Sequence, residues 1–151
     1  MCVCGNHDVG DFPTRQSIQR YVDHFGDDYF DFYCSGVHCI VLNSQFYAHS
    51  ANVEDLKAEH ERWLDGVLKE EKAKHVIVFQ HIPWFLNQGD EGKEYFNIEP
   101  NLRLKMLEKF LDAGVRKIFC GHYHRNAGGF YKSIELIVTS AIGLQIGRAH
   151  V

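Results

Sequence analysis

Apolar residues recur at spacings of three and four along residues 14–25, where Ile18, Tyr21, Val22 and Phe25 share a face, which predicts a helix capped by Thr14 and closed by Gly26. Aromatic and β-branched residues crowd 29–34 and 37–42 on either side of Ser35-Gly36, a hairpin signal. Leu56, His60, Trp63, Leu64, Val67 and Leu68 then line one stripe opposite Glu and Lys, predicting a long helix from an Asn52 cap to about residue 74. A short apolar strand over 75–80 follows, then a polar loop over 87–94 expected to be mobile. Pro100 opens a helix through Leu104, Leu107, Phe110 and Leu111 that ends at Gly114, ahead of a strand over 115–120. Gly128-Gly129 reads as a turn and 134–139 as a further strand. Residues 1–4 read as the tail of a strand that would begin before Met1. The order β-α-β-β-α-β-α-β-β, without repeats or linkers, predicts an α/β domain with mixed sheets covered by helices.

Composition narrows the function classes. A chain of 151 residues, 45% hydrophobic, fits a single globular domain. Sixteen basic against twenty acidic residues, a net charge of -4, leave no basic patch, so no nucleic-acid partner is expected. No apolar run approaches the roughly 20 residues of a membrane helix, and Met1 opens on strand-like sequence rather than a signal peptide, so no membrane partner and a cytoplasmic location are expected. Cys2, Cys4, Cys34, Cys39 and Cys120 form an odd set without CxxC spacing and read as reduced thiols.

Histidine position carries the chemistry. Gly5-Asn6-His7-Asp8, Gln80-His81-Ile82-Pro83 and Gly121-His122-Tyr123-His124 each follow an apolar run, and loops past the carboxyl ends of strands are where open α/β sheets gather functional groups. A sheet could thereby bring side chains of the three pieces together at one edge as ligands for metal ions. If the segment stays extended, His122 and His124 point to the same side. Taken singly, Asn6 and His7 are ordinary turn residues and His81 an ordinary strand-end histidine; the ordered set points to function. Arg125 and Asn126 directly follow as candidate phosphate contacts, although arginine at a loop tip is more often solvated. Trp84, Phe85, Tyr95 and Phe96 read as groove lining or, more commonly, as core. His24, His38, His49, His60, His75 and His150 lie outside the motifs and read as structural or solvated.

The three blocks in this order resemble the calcineurin-like metallophosphoesterases, and the likeness runs over residues 3–147. The resemblance implies a β-sandwich of mixed sheets flanked by helices and two divalent ions of Mn, Fe, Zn or Mg. It also implies Asn6, His81 and His122 on one ion and His124 on the other, with a hydroxide bridging the two as nucleophile. His7 would stabilise or protonate the leaving alkoxide, with Asp8 fixing its tautomer. The implied substrate is phosphoserine or phosphothreonine in a phosphorylated protein. Two further blocks of the family pattern, Asp-x-His and Gly-Asp-x-x-Asp, do not precede Gly5. The expectation is therefore a chain cut at the N-terminus, and also past Gly147-Arg148, with weak or no activity of its own. A metal-binding or regulatory piece without catalysis, and a phosphodiesterase on the same fold, are the alternatives.

Overall fold

A strand with alternating burial needs neighbours along its edges and a layer over one face, and the described residues, 2–70 and 73–141 of the computed structural model, supply both. Six strands, β1 (Phe30–Cys34), β2 (Val37–Val41), β3 (His75–Phe79), β4 (Val115–Cys120), β5 (Ala127–Tyr131) and β6 (Ile134–Val138), form one sheet in the order β1-β2-β3-β4-β6-β5. The outer pairs β1–β2 and β5–β6 are antiparallel, while β2, β3, β4 and β6 run parallel. The mixed α/β class read from the pattern therefore forms, as one sheet among the described residues rather than the two of a sandwich. No helix among them is long and apolar enough to cross a membrane.

Five helices flank the strands: α1 (Asn6–Val9), α2 (Arg15–Phe25), α3 (Gln45–Ala48), α4 (Glu54–Val67) and α5 (Pro100–Asp112). Val76, Val78, Ile118 and Leu136 on one sheet face join Leu64 and Val67 of α4 and Met106, Leu107 and Phe110 of α5 in the main core. On the other face Ile77, Phe79, Phe119 and Ile137 are only half-buried. Full burial of one such side chain contributes about 1.5–3 kcal/mol, so the helix-covered face carries most of the apolar stabilisation. A second cluster of Cys4, Val9, Ile18, Tyr21, Phe46 and Val53 joins α1, α2 and α3.

Local signals explain several boundaries. The Thr14 hydroxyl accepts from Ser17 N–H at 3.1 Å to start α2, and Gly26, with φ of 87°, ends it. Ser35 and Gly36, at φ of 51° and 82°, make the β1–β2 turn in the conformation that matches strand twist.

The structure corrects other expectations. Residues 2–4 form no strand: they join no ladder, and Cys4 is buried in the second cluster instead. Helix α4 starts at Glu54 behind Val53, which gives no side-chain cap, and ends at Val67. Past Leu68 the next residues, Lys69 and Glu70, are charged and offer no large apolar side chain to dock on the core. Gly128-Gly129 lies inside β5 rather than in a turn. A Cβ on Gly129 would fall 2.3 Å from the Asn87 carbonyl, and Gly128 N–H donates to Leu86 O at 2.8 Å, so these glycines permit close backbone approach. The end expected for α4 near 74 runs across residues 71–72, and the stop expected past Gly147 falls within 142–151; both stretches lie outside the described residues.

The 87–94 loop expected to be mobile is tied down. The Glu91 carboxylate accepts from the N–H groups of Leu86, Asn87 and Gln88 at 2.7, 2.9 and 3.2 Å. Fully buried Arg103 donates to Ile98 O at 2.7 Å, Gly89 O at 3.0 Å and Glu91 O at 2.6 Å.

Candidate metal centre

The parallel ladder between β3 and β4 continues one step past both strands. Gln80 N–H donates to Phe119 O and Gly121 N–H to His81 O, each at 3.0 Å. His81 and His122, 41 residues apart in sequence, thus emerge side by side at the carboxyl edge, with His81 Nε2 3.1 Å from His122 Nδ1.

Asn6 stands at the start of α1. That single turn is held by three bonds. Asp8 Oδ2 accepts from Gly5 N–H at 2.9 Å, Ser17 Oγ donates to Val9 O at 2.8 Å, and Gln45 Nε2 donates to Gly10 O at 3.0 Å. Asn6 Oδ1 then stands 2.9 Å from His81 Nε2. Two donors on one first-row cation at roughly 2.1 Å lie about 3.0–3.4 Å apart, so Asn6 Oδ1, His81 Nε2 and His122 Nδ1 fit a shared metal ion. Gly5 permits this approach: a Cβ there would meet Cγ and Nδ1 of His81 at 3.0 Å.

Electrostatics favours the ligating form. Burial, followed by the positive charges of His122, His7 and His124, pushes the His81 pKa down to about 4. Burial likewise lowers that of His122. Both imidazoles are neutral at pH 7, as metal binding requires. The Tyr95 ring packs on that of His122, the ring centres 5.3 Å apart.

The remaining candidates stand differently. His122 and His124 have φ of 67° and 55°, and Tyr123 N–H donates to Gly121 O at 2.8 Å, so the segment is a tight turn and not the extended stretch expected. His122 is buried, whereas His124 is exposed. His7 and Asp8 are exposed on α1, and the Asp8 carboxylate serves as the cap on Gly5 rather than as the expected partner of the His7 ring. Arg125 and Asn126 are exposed; the Arg125 guanidinium lies 5.6 Å from the Tyr123 ring centre, and Asn126 Oδ1 accepts from Ser140 N–H at 3.2 Å. Among the described residues no three His, Cys, Asp or Glu side chains form a metal cluster; Asn6 completes the set of three donors.

Asp11 escaped the sequence reading, and Tyr95 was read only as groove lining or core. Asn6 Nδ2 donates to Asp11 Oδ1 at 3.0 Å, and the Tyr95 hydroxyl donates to the same oxygen at 3.3 Å. Asp11 had a weak signal, a second carboxylate just past Asp8 in one motif loop. The contact of Tyr95 with Asn6 had no signal, since it spans 89 residues. Of the four aromatics, Trp84 and Phe85 are core, whereas Tyr95 is 60% exposed. A cavity of about 360 Å³ opens beside the centre, lined in part by Asp11, His49, Lys93, Glu94, Tyr95 and His122.

Comparison with known proteins bears on this arrangement. A family model described as calcineurin-like phosphoesterase matches residues 1–126. The chain is similar to the serine/threonine-protein phosphatase CPPED1 of Bos taurus, 47% identical over 96% of this chain and 47% of that protein. The Homo sapiens protein of the same name is 46% identical over 97% of this chain and 48% of its own length. The chain spans about half the length of the curated relatives it matches. Among solved structures, GAP50, the anchor in the inner membrane complex of Plasmodium, superposes over 74% of this chain and 36% of its own with a TM-score of 0.56. At 14% identity that likeness is one of fold.

Proposed function

On the premise that the chain belongs to the calcineurin-like phosphoesterase family, we propose that its Asn6–His81–His122 cluster is a divalent-metal site for phosphomonoester hydrolysis. The substrates proposed are phosphoserine and phosphothreonine in proteins, after the printed name of the phosphatases it resembles. The observation that carries the reading is the convergence of Asn6 Oδ1 and His122 Nδ1 on His81 Nε2, 2.9 and 3.1 Å away. A second ion, on His124, belongs to the same proposal, with Mn, Fe, Zn or Mg all compatible with the donors.

The chemistry such ions supply when bound is charge against the phosphoryl oxygens and a lowered pKa for water. The chain's own residues do the rest. His81 and His122 stay neutral because they are buried, so no proton competes for their lone pairs at pH 7. Exposed His7, within electrostatic reach of His81, would hand a proton to the departing alkoxide. Arg125, exposed past His124, would pair with phosphate oxygens.

A second reading, metal binding without turnover, is favoured by one observation: three donors share one position, while His124 stands apart and exposed. Manganese content and turnover of p-nitrophenyl phosphate separate the two. Two ions with turnover support hydrolysis, one ion without turnover supports the second reading, and an unchanged metal content in His81→Ala overturns both. For hydrolysis, His7→Ala is expected to keep its metal and lose about 100-fold in rate on a phosphoserine peptide, with far less loss on p-nitrophenyl phosphate. Equal losses on the two substrates would remove His7 from the proton-donor role.

A further inference from the structure

We infer that Asp11 and Tyr95 are positioning residues that set which end of the Asn6 amide faces the metal site and clasp Asn6 to His122. This rests on the metal-site reading above and goes beyond it to two residues outside the three motif blocks. An asparagine amide offers an oxygen that ligates and an NH2 that does not, and the ring nitrogen beside it accepts or donates according to tautomer, so His81 alone does not fix the amide. Asp11 does. Its Oδ1 takes a hydrogen bond from Asn6 Nδ2 at 3.0 Å, and the flipped amide would set an oxygen against that carboxylate. Asn6 Oδ1 is left facing His81 Nε2, 2.9 Å away.

Tyr95 braces the pair from the far side of the site. Its hydroxyl donates to Asp11 Oδ1 at 3.3 Å and lies 3.5 Å from Asn6 Nδ2. Its ring packs on that of His122, the ring centres 5.3 Å apart. One residue therefore touches two ligands that sit on different elements, α1 and the turn after β4. Tyr95 is held in place by its loop. Glu94 N–H donates to Asn97 Oδ1 at 2.8 Å, Asn97 Nδ2 donates to Glu91 Oε1 at 2.8 Å, and Arg103 anchors the carbonyls of Gly89 and Glu91.

Cobalt affinity of the 151-residue chain and the visible absorption of the bound cobalt test the inference, in the unaltered chain and in Asn6→Ala, Asp11→Ala, Asp11→Asn and Tyr95→Phe. Asp11→Ala should weaken binding about 10- to 100-fold and change the spectrum, the scale of loss usual for outer partners of metal ligands. Asp11→Asn should restore affinity to within a few-fold, because its amide oxygen still accepts from Asn6, and Tyr95→Phe should lose a few-fold. Thermal unfolding without metal should be the same for the unaltered chain and Tyr95→Phe, since only one hydroxyl is removed. Unaltered affinity in Asp11→Ala alongside loss in Asn6→Ala overturns the inference alone. Asp11→Asn as weak as Asp11→Ala overturns it too, because charge and not the accepted bond would then matter. No cobalt binding by the unaltered chain overturns the metal-site reading itself.

Discussion

Gly5 and Gly121 belong to different motif blocks, yet both lie against the imidazole of His81, and at different distances. A Cβ on Gly5 meets the ring at 3.0 Å, tighter than ordinary contact, whereas one on Gly121 meets Nδ1 at 3.6 Å. Gly5 has φ of -125°, a conformation open to any residue, so a substitution there reports the ring contact and not backbone strain. Gly5→Ala is expected to cost about 1–3 kcal/mol and to weaken metal binding, and Gly121→Ala about 1 kcal/mol or less with metal binding kept. Denaturant unfolding and cobalt titration of the two variants check this; equal effects would mean that the ring is not the constraint. At this scale Asn6, His81 and His122 were legible because their types and order are unusual. The capping of Gly5 by Asp8 was legible only as an acidic residue at a turn, since carboxylates cap helices and orient histidines alike.

Elements show where pattern reasoning holds and where it gives way. The α2 cap, the β1–β2 hairpin and the Pro100 start of α5 were readable because each depends on residues within a few positions of one another. The loop after β3 was misjudged as mobile for the opposite reason: its anchor Arg103 binds backbone carbonyls, and every residue carries one. Arg103→Met should cost about 2–4 kcal/mol by leaving those buried acceptors without donors, and should speed amide exchange at Leu86, Asn87 and Gln88 as the Glu91 brace loosens. Unchanged exchange with the stability loss intact would confine Arg103 to the core and separate it from the loop. Gly128-Gly129 was misjudged because glycine marks turns and close backbone approaches equally, and only the neighbouring Asn87 carbonyl decides between them.

In the whole molecule, the two apolar clusters meet around His60, whose ring contacts Phe46 of one and Tyr47 of the other and also packs on Tyr29 and Trp63. Burial lowers its pKa from 6.5 to about 3, so the native state holds it neutral while the unfolded chain binds a proton below pH 6.5. Its contribution to stability is complete above that pH and falls by about 1.4 kcal/mol per unit as the pH drops toward the folded value. Unfolding of metal-free protein between about pH 4.5 and 7 should therefore show a slope shallower by roughly one proton in His60→Phe. An unchanged slope would place the acid sensitivity elsewhere. The sequence by itself determined the α/β class, most helices and strands, and three residues of the candidate site, because periodicity, caps and rare residue types act over short stretches of chain. The tertiary structure alone decided that β3 and β4 are neighbours, that His122 turns inward while His124 is left outside, and that Asp11 and Tyr95 hold Asn6. Those outcomes depend on which strands pair and on contacts across as many as 89 residues, where the spacing of residue types along one chain carries no distance information.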